Sequence, residues 1–286
     1  MANPPAILRG LSAIAPDYDA LVCDVWGVLH NGQRARAPAV DALQRFRKHH
    51  GPVVLLSNAP RPVSAVIQQF AGLGVPPDCY DAIVTSGAAA HDDLKQRAHG
   101  ERLPILHIGP ERDRGVFENL PIDCVKAEEA SVVLCTGLFD DDNETPDDYR
   151  TMLAPLAARK LTMLCANPDI VVQRGASLIY CAGAIARVYE DMGGEVVYYG
   201  KPYLPVYEMT LARAREAAGR EIARPLAIGD GLATDILGAN RAGLDALFIA
   251  DGVHGEELGA VTAENLARLF AKAGVSVKAA MPALVW

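Results

Sequence analysis

Short apolar runs alternate with longer amphipathic segments along nearly the whole chain, and this rhythm restricts the fold more than any other feature. It reads as repeated βα units that assemble a parallel sheet. The clearest strand candidates are residues 20–23, 53–56, 82–85, 196–199, 226–228 and 246–249. Helices are expected between them at 40–49, 63–71, 205–218, 234–242 and 257–272. Pro38, Pro62 and Pro205 fall where a helix would begin, the place where a missing N–H matters least. Gly51, Gly72 and Gly219 follow helical stretches, as C-cap glycines do.

The middle of the chain carries strands of its own at 105–108, 132–135, 161–165 and 178–180, interrupted by an acidic, turn-like segment at 139–148. Strand-ending chemistry resumes only at Gly200. A chain of 286 residues has room for about two domains. The expected architecture is therefore α/β: a Rossmann-like parallel-sheet core from residues 1–87 and 195–286, with a second α/β domain, 88–194, inserted into it. No internal repeat or low-complexity tract is visible, and residues 276–286 carry little signal.

Composition narrows the function classes. Half of the residues are hydrophobic and 22% are charged, an ordinary globular balance. A net charge of -8 argues against a nucleic-acid surface, which usually needs a basic patch. Small phosphorylated ligands stay open, because a local metal or lysine can outweigh the global charge. The first residues lack a basic region followed by an apolar stretch and a small-residue cleavage site. No apolar run approaches the roughly 18 residues of a membrane span. The six cysteines, Cys23, Cys79, Cys124, Cys135, Cys165 and Cys181, form no CxxC pair and are read as buried reduced thiols. Together these features predict a cytoplasmic protein without nucleic-acid or membrane partners.

In open α/β sheets ligands sit beyond the carboxyl ends of the strands. Four points stand out there: Asp24, Ser57-Asn58, Lys201 and Asp230, each directly after an apolar run. Any one of them alone reads as a turn former, a helix cap or a solvated lysine. As a set, two carboxylates, a hydroxyl and an ammonium suit phosphoryl transfer. A phosphate monoester dianion repels a carboxylate nucleophile, so charge must be neutralised before in-line attack. Mg²⁺ prefers hard oxygen ligands, often one or two carboxylates plus a phosphate oxygen, and Asp24 and Asp230 can supply them. Lys201 adds a compact positive charge, and Ser57 a donor to a phosphoryl oxygen. Aspartyl-phosphates are an established catalytic route, driven by positioning and electrostatic stabilisation. Asp235, five residues after Asp230 in a Gly229-Asp230-Gly231 turn, reads either as a helix-dipole partner or as an outer partner of the metal.

These residues resemble the motifs of the haloacid dehalogenase-like superfamily, specifically its class IIA hydrolases. That group includes p-nitrophenyl phosphatases, phosphoglycolate and pyridoxal phosphatases, and nucleotide monophosphatases. Asp24-Val25-Trp26-Gly27-Val28-Leu29 looks like the first motif, Leu56-Ser57-Asn58-Ala59 the second, Gly200-Lys201-Pro202 the third, and Gly229-Asp230 through Asp235 the fourth. Thr85-Ser86-Gly87 resembles the point where class IIA members insert their cap, and Ala166-Asn167-Pro168-Asp169 a cap segment that faces substrate. The resemblance covers nearly the whole chain. It implies a Mg²⁺-dependent phosphatase of small phosphorylated metabolites, with Asp24 as nucleophile. The metal would be held by Asp24, Asp230 and the backbone carbonyl of Trp26, supported by Asp235. Ser57, Asn58 and Lys201 would hold the phosphoryl group, and Asn167 and Asp169 would set cap specificity. A homodimer through the cap is a further implication.

One position departs from the pattern. The family usually carries a second aspartate two residues after the nucleophile, acting as general acid and then base, where this chain has Trp26. An indole N–H is a neutral donor that cannot shuttle protons, and such help is typically worth about 10²–10⁴-fold in rate. A main-chain metal ligand at 26 survives the change. Three readings stay open: a phosphatase using another acid–base group, with His30 nearest in sequence; a phosphotransferase; and a binding or regulatory protein that keeps the pocket without useful turnover. Other nucleotide folds are set aside. Asp24-Val25-Trp26-Gly27 is no dinucleotide fingerprint, and Pro202 follows Gly200-Lys201 where a P-loop needs Ser or Thr. A signalling receiver domain would be far shorter and leaves Asp230 unexplained.

Overall fold

The computed structural model describes residues 5–174, 177–254 and 258–286. Along the chain come β1 (Ala6–Ile7), β2 (Ala20–Asp24), α1 (Ala37–His49), β3 (Val53–Ser57), α2 (Val63–Leu73), β4 (Ala82–Thr85) and α3 (Ser86–Ala98). Next are β5 (Leu103–Ile108), β6 (Ile122–Cys124), β7 (Val132–Cys135), α4 (Arg150–Ala158), β8 (Thr162–Cys165), β9 (Val171–Arg174), β10 (Ser177–Tyr180), α5 (Ala182–Asp191) and β11 (Glu195–Tyr198). The chain closes with α6 (Leu204–Ala218), β12 (Pro225–Gly229), α7 (Leu237–Arg241), β13 (Asp245–Ile249), α8 (Ala263–Ala273) and β14 (Ala279–Met281).

Two separate parallel sheets result. The core sheet runs β1-β14-β13-β12-β2-β3-β4, and every pairing in it is parallel. Its central strands are buried on both faces, as helices on either side require. Leu21 and Cys23 of β2 pack towards Phe46 of α1 and Phe70 of α2, while Ala20 and Val22 pack towards Val206 and Tyr207 of α6. This two-residue alternation is the strand period expressed in packing. Strand order reverses between β2 and β12: β3 and β4 extend one way, β13 and β14 the other. A crevice opens at such a switch point, and Asp24 and Asp230 lie beside it.

The inserted sheet runs β11-β8-β7-β5-β6, again entirely parallel, with the antiparallel hairpin β9-β10 beside it. Thr85 ends β4 and caps α3, accepting a hydrogen bond from the Ala88 amide at 3.0 Å while donating to the Arg61 carbonyl at 2.8 Å. This ties the start of the insertion to the loop after β3.

Several expectations need correction. The strand expected at 196–199, assigned to the core, spans Glu195–Tyr198 and pairs with β8 in the inserted sheet. An apolar run identifies a strand but not its neighbour. The weak C-terminal segment supplies β14, which pairs with both β13 and β1. The helix expected at 257–272 is α8, which begins only after Thr262, whose hydroxyl accepts from the Asn265 amide at 3.2 Å; residue 257 lies outside the described residues. Gly72 lies inside α2, and Gly74 is its left-handed C-cap. Five of the six cysteines are buried as free thiols, and Cys124 is exposed. No helix among the described residues is long and apolar enough to cross a membrane.

Candidate active site

The carboxyl ends of β2 and β12 bring Asp24 and Asp230 together, and the turn after β12 adds Asp235. Ligand oxygens from these three residues lie within 4.8 Å of one another. All three side chains are buried. Lys201 enters from the loop after β11. Its Nζ donates to Asp24 Oδ1 and to Asp235 Oδ1, the second at 2.7 Å.

Local backbone geometry explains how three acids fit. The Ile236 amide donates to the Gly231 carbonyl at 3.0 Å, an i→i+5 turn that widens the start of the next helix. Asp235 is thereby turned back, and its Oδ2 accepts from the Gly231 amide at 3.0 Å. A side chain at Gly229 would collide with it, since a Cβ there would lie 2.2 Å from Asp235 Cβ. Gly27, at φ +89°, leaves room for Asp230; a Cβ there would fall 2.3 Å from Asp230 Oδ2. The same oxygen accepts from the Val253 amide at 2.9 Å.

The electrostatics follow from this crowding. Burial, then the Asp235 charge, raises the Asp24 carboxyl well above the usual range against the pull of Lys201. Burial and Asp235 push Asp230 up to about 7. Burial disfavours the Lys201 ammonium, yet Asp235 and Asp24 outweigh it and hold the pKa well above the normal lysine value. Fully ionised, three carboxylates against one ammonium would carry two excess negative charges, which is why Asp24 and Asp230 hold their protons so firmly without a cation. A hard divalent cation with oxygen ligands matches both the charge and the donor set.

Ser57 and Asn58 follow β3 at the same edge. Ser57 Oγ accepts from the Ala59 amide at 3.2 Å. Asn58 does not have the free amide expected of a direct phosphate ligand. Its Oδ1 accepts from the Lys201 amide at 2.8 Å, and its Nδ2 donates to the Lys201 carbonyl at 3.3 Å and to Asp169 Oδ1 at 2.9 Å. Asn58 therefore clamps the Lys201 backbone and reaches across to the inserted domain. Asn167 is buried, and its Oδ1 accepts from the Asp169 amide at 3.1 Å, shaping the loop that presents Asp169.

Trp26 lines the cleft with its ring edge-on to His30, centroids 5.1 Å apart. His30 is buried, packs against Phe70 and accepts from the Gly32 amide through Nδ1 at 3.1 Å. Burial pushes its pKa down to about 4, so it is neutral near pH 7. Its ring forms part of the packed wall of the cleft.

All these groups line one cleft of about 1020 Å³. Its opposite wall is the carboxyl edge of the inserted sheet, where Thr136, Gly137 and Leu138 follow β7 and Asn167 follows β8. Sequence reasoning missed several contributors. Tyr207 of α6 donates to the Asp235 carbonyl at 3.1 Å, and Arg61 joins Asp113 across the two domains at 2.7 Å. Tyr207 lies one turn into the helix after Lys201, a position a closer reading could have flagged. The Val253 amide has no sequence signature at all.

Models of known families match at both ends of the core. One described as haloacid dehalogenase-like hydrolase matches residues 21–123, and one described as HAD-hydrolase-like matches 198–271. D-glycerol 3-phosphate phosphatase of Mycobacterium tuberculosis is 26% identical over 245 residues, 85% of this chain and 66% of that protein's length. A crystal structure of glycerol phosphate phosphatase from the same organism, in complex with magnesium, superposes with a TM-score of 0.64 at 24% identity, covering 87% of this chain and 74% of that one. Ribonucleotide monophosphatase NagD of Escherichia coli strain K12 is 24% identical over 82% of this chain and 88% of its own. A haloacid dehalogenase-like hydrolase from Brucella suis 1330 superposes with a TM-score of 0.87 at 42% identity, covering 98% of this chain and all of that one. This chain belongs to the haloacid dehalogenase-like hydrolases.

Proposed function

We propose that the protein is a magnesium-dependent phosphatase of small phosphorylated metabolites that works through an aspartyl-phosphate on Asp24. The observation carrying this reading is the buried convergence of Asp24, Asp230, Asp235 and Lys201 at the switch point of the core sheet. In the first step an Asp24 oxygen attacks phosphorus and the P–O ester bond breaks, releasing the alcohol. In the second, water attacks the same phosphorus, giving inorganic phosphate and restoring Asp24. Asp24, Asp230 and the Trp26 carbonyl would hold Mg²⁺, with Asp235 behind them; the ion supplies charge neutralisation at the phosphoryl oxygens.

Lys201 offsets the charge on Asp24 and the incoming phosphate, while the Ser57 hydroxyl can donate to a phosphoryl oxygen. Asn58 contributes by fixing Lys201 rather than by touching the phosphate. Asn167 and Asp169 lie on the substrate side of the inserted domain. Glycerol phosphate and nucleoside monophosphates, the substrates named for relatives, are the first compounds to try.

A panel of phosphorylated metabolites assayed with and without Mg²⁺, with Asp24→Asn as control, tests the proposal. Mg²⁺-dependent phosphate release lost by at least about 10⁴-fold in Asp24→Asn is expected. Undiminished release in that variant would remove Asp24 as nucleophile. Phosphate and Mg²⁺ binding without turnover on any ester would favour a binding or regulatory role.

A further inference from the structure

We infer that Asp169 is the proton-transfer residue of this site, protonating the departing alcohol and then taking a proton from the water that opens the aspartyl-phosphate. The inference rests on the phosphatase reading above. Two proton movements are required: the leaving alkoxide must gain one when the P–O bond breaks, and the attacking water must lose one. The residues next to the nucleophile do not supply them, since side chain 26 is an indole.

Most other ionisable groups of the cleft are engaged elsewhere: His254 Nε2 accepts from the Leu232 amide at 3.4 Å, and Asp191 ends α5 exposed to solvent. Asp24, Asp230 and Asp235 form the anionic cluster, and the Lys201 ammonium is held between two carboxylates. His30 packs against aromatic rings with Nδ1 already accepting a hydrogen bond. Asp113 is paired with Arg61, Asp141 with Arg112 and Arg174, and Asp251 with Arg36. Glu190 accepts from the Tyr198 hydroxyl at 2.9 Å.

Asp169 differs in three ways. It faces the site from the inserted domain, makes no salt bridge among the described residues, and its hydrogen-bond partner on the core is the neutral Asn58 amide at 2.9 Å. With that amide on Oδ1, Oδ2 is the oxygen that can carry a proton. Second, Asn58 also grips the backbone of Lys201, whose ammonium touches Asp24. Asn58 thus ties the Asp169 carboxyl to the backbone of the residue whose side chain contacts the nucleophile. Third, its loop is preformed: Asn167 accepts the Asp169 amide, and Gly183 lies so close that a Cβ there would meet the Pro168 carbonyl oxygen at 2.4 Å. Preorganisation of this kind is what a catalytic carboxyl needs.

The charged neighbours are consistent with an acid that keeps its proton. Burial raises the Asp169 carboxyl, Lys201 and the Asn58 hydrogen bond oppose it, and Asp235 adds to the rise. The proton balance closes within the cycle. Asp169 gives its proton to the alkoxide, and the resulting carboxylate takes one from water as the hydroxide oxygen bonds to phosphorus.

Asp169→Asn tests the assignment, because it keeps an acceptor for the Asn58 amide and removes the proton. Pre-steady-state bursts would be compared with glycerol 3-phosphate, whose alkoxide needs a proton, and 4-nitrophenyl phosphate, whose phenolate hardly does. The expected result is a burst rate lowered about 10²–10⁴-fold for the alkyl ester and by less than about tenfold for the aryl ester. KM for the alkyl ester should stay near wild type, and phosphorylated enzyme should accumulate on the aryl ester. Equal losses on both esters, or a change confined to KM, would overturn the inference and leave Asp169 a positioning residue. Should Asp169→Asn fail to fold, Asp169→Ser gives the same comparison. Wild-type enzyme that hydrolyses neither ester would bring down the phosphatase reading along with this one.

Discussion

The chain builds two parallel sheets whose carboxyl edges face one cleft, yet the edges differ sharply in chemistry. Core strands β2, β3 and β12 run out into Asp24, Ser57-Asn58 and Asp230. On the facing side, β5 gives way to Gly109, β7 to Thr136-Gly137 and β8 to Ala166-Asn167, none of them ionisable, while β11 leads into a charged site residue, Lys201. Architecture therefore accounts for where a ligand can sit, and the core-edge side chains, joined by Lys201 after β11 and Asp169 after β8, account for what can happen to it. The core edge carries a buried cluster of carboxyl groups, while the facing edge carries hydrogen-bonding groups, the strand that leads into Lys201 and a loop that delivers Asp169.

The largest effect should come from the charged edge. Asp230→Asn is expected to abolish Mg²⁺ binding in a calorimetric titration and to lower phosphate release by about 10³-fold or more. Thr136→Ala, on the opposite edge, should change kcat by less than about tenfold. Comparable losses in the two variants would erase the distinction between the edges.

Stability should divide in the same way. Lys201→Met leaves Asp24 and Asp235 buried without their cation, and losing one partner of a buried pair typically costs about 3–5 kcal/mol. Denaturant titration of metal-free protein should show it, and saturating Mg²⁺ should recover part of it, because an ion bound only by the folded state shifts the equilibrium. The matching pairs on the inserted side are more open. Arg174 and Asp142 are 36% and 69% exposed, so Arg174→Met should cost about 1 kcal/mol or less. A Lys201→Met protein as stable as Arg174→Met would show that the ammonium does not hold the acidic cluster together.

The asymmetry between the edges was half legible in the sequence. Asp24, Ser57 and Asp230 announce themselves because each polar residue directly follows a run of strand length, and position after a strand is a local property. The pairing partner of a strand is not, which is why the strand expected at 196–199 was assigned to the core and lies, as Glu195–Tyr198, beside β8. β14 was invisible because Ala279-Ala280-Met281 is short and only mildly apolar, and it becomes a strand by fitting between β13 and β1. Lys201 was legible as a cation, but its backbone clamp by Asn58 joins residues 143 positions apart. The meeting of Asp169 with Asn58 depends in the same way on how the inserted domain settles over the core.

The smallest difference concerns acid. Each domain has a histidine shielded from solvent: His30, buried beneath the core edge, and half-buried His107 in β5, whose Nε2 lies 2.9 Å from Thr136 Oγ1. Burial lowers both from 6.5 to about 4, with Arg114 adding to the effect on His107. A histidine neutral in the folded protein and protonated in the unfolded chain favours folding only while the unfolded chain is also neutral. The benefit is complete above pH 6.5 and is lost as pH falls towards 4, reaching about 2 kcal/mol per residue at pH 5. His30→Gln and His107→Gln should each flatten the fall in denaturation midpoint between pH 7.5 and 5. Their effects should add, because the two residues share no partner. The slope is the readout, since either substitution can also change stability at pH 7.5. Wild-type slopes in both variants would mean that neither ring is held neutral by the fold, and a change in only one would locate acid sensitivity in that domain.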